Sequence, residues 1–295
     1  MNAYNGGVSR LGLALAAALI CPAQQPQQHL LQRMASGFRY ADGLALEADG
    51  ALLVADPPAD RILRLAPGRP IAVARQPAGG AAGLAFDDRG RLLICESEAR
   101  RLVRIETDGR LTVLVDAYDG KRLNGPNDLA LRSGGHIYFT DPAFGSADER
   151  RQLPFHGVFH LPPKGPLEVI WRGDSRPVGI ALSPDERTLY VTFTDERLVR
   201  AFDVARSGAA SNPRVLVPRT GGIPLGLRTS AEGELLIAAG EHIEIYSPRG
   251  RLIEKIRVPE RSANLFVHRS TGDIFVSARD AVYHLARRAE PAKEP

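Results

Sequence analysis

Short runs of alternating apolar and polar residues recur along the chain, each followed by a turn and a second apolar-rich run. Six phrases share this arrangement: a Gly, Asp or Asn, an apolar-rich triplet, a polar turn, and a run rich in β-branched and aromatic residues. The phrases begin at Gly43, Gly83, Asp128, Gly179, Gly226 and Asn264. Their starts lie 38 to 51 residues apart, a spacing typical of repeat architectures.

A tight turn separates the two runs of each repeat. In four repeats a glycine stands at the same offset from the phrase start, namely Gly50, Gly90, Gly135 and Gly233. The fourth and sixth repeats carry one extra residue at this point. Glycine provides the positive φ that short hairpin loops need. The runs after the turn, such as "ALLVAD" and "HIYFTD", have the composition of buried strands.

These repeats predict an all-β protein with the architecture of a six-bladed β-propeller. Six units of three or four antiparallel strands protect their sheet edges by radial repetition. Outside the first 23 residues no stretch shows the helical period. A β-sandwich with regular hairpins is the alternative, and the sixfold register argues against it.

The first 23 residues differ from the rest. Arg10 is their only charge, the apolar run "LGLALAAALI" follows it, and "CPA" precedes a glutamine-rich stretch. This order is typical of a secretory signal peptide, here ending near Ala23. A membrane anchor is the alternative, although the apolar run is shorter than the roughly 20 residues that a span needs.

The predicted organisation follows from these boundaries. We expect a signal peptide over residues 1–23, a flexible segment over 24–36, the propeller over 37–286 and a disordered tail over 287–295. The protein is then secreted or periplasmic, without a membrane span in the mature chain. Removal of the signal leaves Cys95 alone, which excludes an internal disulfide and favours a buried thiol.

Charge and composition narrow the classes of partner. Hydrophobic residues make up 44% of the chain, enough for a folded core, and the net charge is +4. No block of like charge or interleaving of aromatic and basic residues stands out, so a nucleic-acid partner is not expected. A small molecule is the expected partner.

In a propeller, equivalent positions of the six inner strands converge on one axis. The residues directly before the phrase starts are Asp42, Ala82, Asn127, Val178, Leu225 and Ala263. If the second strands return to the same face, their last residues join this ring: Asp56, Glu96, Asp141, Phe193, Ala239 and Ala278. Repeats one to three then supply an acidic and polar half and repeats four to six an apolar half, as in a small-molecule pocket. Turn capping is the alternative for Asp56 and Asp141.

The stretch "LNGPNDLALRSGGHIYFTDPAFG", with "LPFHGVFHL" and "RPVGIALSPDERTLYVTF", resembles the gluconolactonase, senescence marker protein and luciferin-regenerating enzyme family. The resemblance implies a six-bladed propeller and metal-dependent lactone hydrolysis, often with calcium or zinc. It also implies four metal ligands, a Glu, two Asn and an Asp, the Asp serving also as general base. This chain has Asp42, Asn127, Val178 and Leu225 at those positions, so hydrocarbon replaces half of the set.

Two functions remain open. The first is an exported lactonase-like hydrolase of a small, rather apolar lactone or ester. Asp42 and Asn127 would hold a divalent cation, calcium or zinc, weakly if at all. Glu96 or Asp141 would be the catalytic base.

In this hypothesis Asn127, Val178, Leu225 and Phe193 would bind substrate. The second function is a non-catalytic propeller that binds a small molecule or a partner protein. A condensation reaction like that of strictosidine synthase-like propellers is a third alternative, which no residue singles out.

Overall fold

The computed structural model describes Met1 and residues 31–286. The predicted signal peptide beyond Met1, residues 24–30 and the C-terminal tail from residue 287 lie outside the described residues. The described part of the chain is built from β-strands, with one short α-helix, α1 (Ser146–Glu149), and 3₁₀ turns at Pro57–Ala59 and Ser133–Gly135. Among these residues, no helix has the length and apolar character needed to cross a membrane.

Five four-stranded sheets follow one another along the chain after an initial strand, β1 (Leu31–Ser36). Blade 1 contains β2 (Leu44–Leu46), β3 (Leu52–Asp56), β4 (Arg61–Leu65) and β5 (Ala72–Arg75). Blade 2 contains β6 (Ala81–Phe86), β7 (Leu92–Glu96), β8 (Arg101–Ile105) and β9 (Leu111–Val115). A small ribbon of β10 (Ala117–Tyr118) and β11 (Lys121–Arg122) precedes blade 3.

Blade 3 contains β12 (Leu129–Arg132), β13 (His136–Asp141), β14 (His156–Leu161) and β15 (Glu168–Gly173). Blade 4 contains β16 (Pro177–Leu182), β17 (Thr188–Phe193), β18 (Leu198–Val204) and β19 (Ala210–Val217). Blade 5 contains β20 (Pro224–Thr229), β21 (Leu235–Ala239), β22 (His242–Tyr246) and β23 (Leu252–Arg257). The last three strands are β24 (Ser262–Val267), β25 (Ile274–Ala278) and β26 (Ala281–Leu285).

The inner strands of the blades form a closed ring. Strands β2, β6, β12, β16, β20 and β24 each contact the inner strand of the next blade, and β24 contacts β2. Within each blade, consecutive strands pair antiparallel. The prediction of an all-β six-bladed propeller is confirmed.

The sixth blade is completed by the N-terminal strand. β1 pairs antiparallel with β26, so that Leu31 lies opposite Leu285 and Ser36 opposite Ala281. Residues 31–36, predicted as part of a flexible segment, are therefore the outermost strand of blade 6. Most side chains of β1 are exposed, so the strand carries little of the apolar pattern from which the other strands were predicted.

The core lies between neighbouring blades. Blade 4 residues such as Tyr190 and Val199 pack with Leu227 and Ile237 of blade 5 in one buried cluster. Similar clusters join blade 5 to blade 6 and blade 6 to blade 1. Cys95 is fully buried and free, as predicted. Each blade is thus fixed by the next, and the inner strand ends are held at one axis.

Candidate functional site

A cavity of about 940 Å³ opens where the six inner strands begin. All six residues directly before the phrase starts line it: Asp42, Ala82, Asn127, Val178, Leu225 and Ala263. The position predicted for this inner ring from the repeat register is therefore found in the structure. The roles of Asp42 and Asn127 as metal ligands, and of Asn127, Val178 and Leu225 as substrate-binding residues, stay predictions.

The phrase-start residues lie one position further along the strands, where neighbouring backbones approach closely. A Cβ on Gly43 would lie 2.0 Å from the carbonyl oxygen of Ala82. A Cβ on Gly226 would lie 2.2 Å from Oδ1 of Asn264. Glycine is needed at these points because any side chain would overlap the next blade. This tight packing joins the inner strands of neighbouring blades.

Asp128 and Asn264 are the two phrase starts that are not glycine. The buried Asp128 carboxylate forms a bidentate ion pair with Arg228, with Nη1 2.7 Å from Oδ2 and Nη2 3.1 Å from Oδ1. The Asn264 side chain donates from Nδ2 to Oδ1 of Asp42 at 3.4 Å. The reasoning from sequence missed these three residues, although the break in the glycine pattern marks two of them.

Asp42 is the inner-ring carboxylate of the cavity. Burial raises its pKa to about 6, and the negative charge of Asp128 acts in the same direction. The Asn264 amide and the Arg228 guanidinium oppose this rise. A carboxyl group with this pKa, exposed to a cavity, is ionised near neutral pH and can accept a proton from a bound molecule.

Asn127 is fixed by its backbone and has a free side chain. Its N–H donates to the carbonyl oxygen of Thr140 at 2.9 Å, and its own carbonyl accepts from the N–H of Gly83 at 2.7 Å. The side-chain amide lines the cavity and makes no hydrogen bond to any other described residue. It is therefore available to a ligand as donor or acceptor.

The last residues of the second strands do not join this ring. Asp56, Glu96, Asp141, Phe193, Ala239 and Ala278 are all buried, and none of them lines the cavity. Successive side chains of a strand point to opposite sides, so the next residue along the chain reaches the cavity instead. In five of the blades this next residue lines the cavity: Pro57, Ser97, Pro142, Thr194 and Arg279. The expectation that both rings face one opening was wrong.

Asp141 holds the loop that enters blade 3. Its two carboxylate oxygens accept the backbone N–H groups of Asn124 and Gly125, both at 2.8 Å. Burial raises the pKa of Asp141 to about 7, and the two amides oppose the rise. Asp56 similarly accepts the backbone N–H groups of Arg39 and Tyr40. Both carboxylates fix turns, which was the alternative considered for them.

Glu96 and Phe193 also lie away from the cavity. Glu96 pairs with Arg75 and Arg101. The Phe193 ring packs edge-on against Trp171 with centroids 4.6 Å apart, within the core between blades 3 and 4. The structure therefore places the predicted catalytic residues Glu96 and Asp141, and the predicted substrate contact Phe193, in the protein interior behind the cavity wall.

The cavity walls divide into two regions. The apolar wall consists of Pro142, Phe144, Val178, Ile223 and Leu225. The polar wall carries Tyr40 and the arginines Arg39, Arg261 and Arg279 besides Asp42. The sequence predicted an apolar half on blades 4 to 6. Val178 and Leu225 of blades 4 and 5 lie on the apolar wall, whereas blade 6 brings Arg261 and Arg279 to the polar wall, which is therefore not simply acidic. The arginines were missed because they lie in connecting loops next to the aligned positions.

The donor set of the cavity does not fit a resident divalent cation. Calcium requires about six to eight oxygen ligands, and only Asp42 and Asn127 of the six inner-ring residues carry a side-chain oxygen. The Oδ1 atom of Asn264 already accepts the N–H of Leu265 at 2.9 Å. Among residues 31–286 no group of three or more His, Cys, Asp or Glu residues could hold a metal. We therefore derive no chemical step through a metal.

Comparisons with known proteins agree with the fold and the repeat motif. The profile of the SMP-30/Gluconolactonase/LRE-like region matches residues 44–279. A gluconolactonase from Zymomonas mobilis is 30% identical over 252 residues, which cover 76% of this chain and 71% of the relative.

Two solved structures extend the comparison. A gluconolactonase from Xanthomonas campestris has a TM-score of 0.82 and 30% identity, covering 88% of this chain and 90% of that one. The calcium-binding protein regucalcin from Agrobacterium tumefaciens has a TM-score of 0.72 at 21% identity, covering 90% of this chain and 98% of its own, and shares the fold.

Proposed function

Since the chain belongs to the SMP-30/gluconolactonase/LRE-like family, we propose that it is a lactone hydrolase that opens a small cyclic ester in the central cavity. The observation that carries the proposal is the Asp42 carboxyl group, which lines the cavity and has a pKa raised to about 6 by burial. A general base is most effective when its pKa lies near the working pH.

The proposed chemistry uses residues of the inner ring. Asp42 removes a proton from a water molecule as the water oxygen attacks the lactone carbonyl carbon. The resulting oxyanion accepts a hydrogen bond from the free side-chain amide of Asn127. The ring C–O bond then breaks, and the proton held by Asp42 passes to the leaving alkoxide, which gives a hydroxy acid and restores the carboxylate.

The apolar wall indicates the kind of substrate. Val178, Leu225 and Ile223 present hydrocarbon where a sugar lactone would need hydrogen-bonding groups. Burying unpaired hydroxyl groups against such a wall would cost binding free energy. The cavity volume of about 940 Å³ accommodates a small ligand. We therefore propose an aliphatic or aromatic lactone, or a related ester, as the substrate.

The test is a lactone panel assayed with the purified protein and two variants. Aliphatic and sugar lactones are offered with EDTA, calcium or zinc, and acid release is followed by a pH indicator. We expect turnover of apolar lactones that Asp42→Asn removes. Asp88→Asn is the matched control, since Asp88 is exposed in the turn between β6 and β7, at the far end of that hairpin from the cavity. Absence of turnover under every condition would disprove the proposal.

A second candidate function is a non-catalytic propeller that binds an apolar small molecule. It is favoured by the four inner-ring positions that carry only hydrocarbon, Ala82, Val178, Leu225 and Ala263. A protein of this kind would show a thermal midpoint that rises with an apolar ligand and does not change with calcium or EDTA. It would also hydrolyse no lactone, which separates the two functions.

We also propose that the protein is exported. The support is the sequence of the first 23 residues, with one basic residue, a short apolar run and small residues before a glutamine-rich stretch. Cell fractionation followed by N-terminal sequencing of the mature protein tests this. A new N-terminus near residue 24 in the secreted or periplasmic fraction is expected, and an intact N-terminus in the cytoplasmic fraction would contradict it.

A further inference from the structure

Arg261 and Arg279 lie side by side at the mouth of the cavity. Ser262 at the start of β24 pairs with Ala278 at the end of β25, and the two arginines directly flank this pair. Both line the cavity and both are exposed. Within residues 31–286, neither guanidinium has a hydrogen bond or ion pair to another residue. The strand register therefore brings two unpaired cations to one edge of the opening.

The other arginines at this mouth are already engaged. Arg176 is bound to Asp195 and lies over the Phe144 ring at 4.8 Å. Arg39 donates from Nη1 to the carbonyl oxygen of Pro58 at 3.2 Å.

Two of the three acidic groups of the rim, Glu260 and Glu98, have partners as well. Glu260 accepts from Arg33 at 3.1 Å and from the Tyr283 hydroxyl at 2.8 Å. Glu98 pairs with Arg150 at 3.1 Å. Within residues 31–286 the exposed Asp280 carboxylate has no hydrogen bond or ion pair, to either arginine or to any other residue. The positive charge of Arg261 and Arg279 has no ion-pair partner at the cavity edge.

A neutral donor lies next to the pair and connects it to Asp42. The Ala41 N–H donates to the carbonyl oxygen of Arg279 at 2.7 Å, which fixes Tyr40 and Asp42 beside the arginines. Burial and the Asp42 charge raise the pKa of Tyr40 to about 12, against the opposing effect of Arg261 and Arg279. The Tyr40 hydroxyl therefore stays protonated, lines the cavity and has no hydrogen-bond partner among the described residues.

We propose that the ligand of this cavity carries a carboxylate that binds Arg261 and Arg279, while its apolar part lies on the wall formed by Val178, Ile223 and Leu225. Guanidinium groups bind carboxylates by charge-assisted hydrogen bonds. A single negative charge is favoured because the Asp42 carboxyl group borders the same region. The nature of the substrate rests on the proposed function. If the protein hydrolyses lactones, its substrate is a lactone with an additional carboxylate substituent.

The first test measures binding without turnover. Hexanoate and hexanamide have the same chain and differ in charge, and their affinities are measured by calorimetry for the wild type and the double variant Arg261→Gln, Arg279→Gln. Hexanoate is expected to bind the wild type at least about tenfold more tightly than hexanamide, and the double variant is expected to lose this preference. The preference should also weaken at high salt. Equal affinities in the wild type would overturn the inference.

Two further variants control for indirect effects. Arg249→Gln removes an exposed arginine from the turn between β22 and β23 and should leave both affinities unchanged. The double variant Arg261→Lys, Arg279→Lys keeps the charge and should restore part of the hexanoate preference. Thermal unfolding shows whether each variant is folded. If no lactone is hydrolysed but hexanoate is preferred, the proposed function fails and the carboxylate site stands.

The second test uses a γ-lactone with a carboxymethyl substituent and its methyl ester. The Gln double variant is expected to lower kcat/KM about tenfold for the acid through a higher KM, with little change for the methyl ester. The arginines could instead hold only the carboxylate that hydrolysis produces. In that case both lactones would react equally well with the wild type and only product inhibition would change, which would overturn the substrate assignment.

Discussion

Two carboxylates near the cavity, those of Asp42 and Asp141, have different roles. Asp42, at the start of an inner strand, lines the cavity and makes one long hydrogen bond of 3.4 Å to a side chain. Asp141, at the end of a second strand, is fully buried and accepts two backbone N–H groups at 2.8 Å. The first is available to a ligand, whereas the second maintains a loop. Strand alternation, rather than distance from the axis, separates the two roles.

The difference shows how a raised pKa should be interpreted in this protein. Burial raises the pKa of both groups, to about 6 for Asp42 and about 7 for Asp141. Only Asp42 combines the shift with access to a cavity and spare hydrogen-bonding capacity. A raised pKa therefore identifies a candidate base here only together with an open position.

The largest effect is expected from removing the charge that faces the cavity. Asp42→Asn should lower kcat/KM by about 10²–10⁴-fold, the usual contribution of a general base. Its thermal midpoint should stay close to that of the wild type, because the lost carboxylate makes only one long hydrogen bond to a side chain. Kinetics and thermal unfolding of the same preparation check both points. An unchanged kcat/KM would show that both carboxylates are structural.

The second prediction concerns a variant that places oxygen ligands for a metal ion on the apolar half of the inner ring. The family resemblance of the sequence implies an Asn and an Asp at the positions where this chain has Val178 and Leu225. The double variant Val178→Asn, Leu225→Asp should therefore gain calcium binding, worth about 2.7 kcal/mol of stability when free calcium reaches 100 times the Kd. Thermal shift with calcium and EDTA measures it. Val178→Ala, Leu225→Ala is the control without donors, and an equal calcium response there would contradict the prediction.

A smaller effect, on the free energy of unfolding, is expected from a change at Asp141, which lies behind the cavity wall. Asp141→Asn replaces one acceptor oxygen by a donor and leaves a backbone N–H of the entering loop unpaired, which should cost about 1–3 kcal/mol. Urea unfolding measures this loss, and Asp88→Asn serves again as the exposed control. The kcat/KM of the folded variant should fall far less than for Asp42→Asn. A larger loss of kcat/KM in Asp141→Asn than in Asp42→Asn would contradict the roles assigned to these two carboxylates.

The smallest effect is the pH dependence. Asp42 must be ionised to act as base, so kcat/KM should rise with pH and reach half its limit near pH 6, the pKa of that group. Well below that pH the rate should fall about tenfold for each unit. The residual activity of Asp42→Asn should lack this limb. A limb centred near pH 4 in the wild type would show that Asp42 is not desolvated in the working enzyme.

Much of the fold could be predicted from the sequence because the repeat is local. Each phrase contains its own hairpin, and the alternation of apolar residues fixes which side of the strand is buried. The inner ring from Asp42 to Ala263 followed from the register of the repeats alone. The prediction that the last residues of the second strands also line the cavity was wrong. Each of these residues points to the opposite side of its strand from the residue that follows it.

What the sequence by itself determined was the number of blades and the inner-ring residues, because both depend on contacts within one repeat. The tertiary structure decided three other features: the pairing of Leu31 with Leu285, the ion pair of Asp128 with Arg228, and the neighbouring positions of Arg261 and Arg279. The first two join residues 254 and 100 positions apart, and the arginines stand in turns outside the strand pattern. No local periodicity encodes such contacts, since they form only when the ring closes and brings distant segments together.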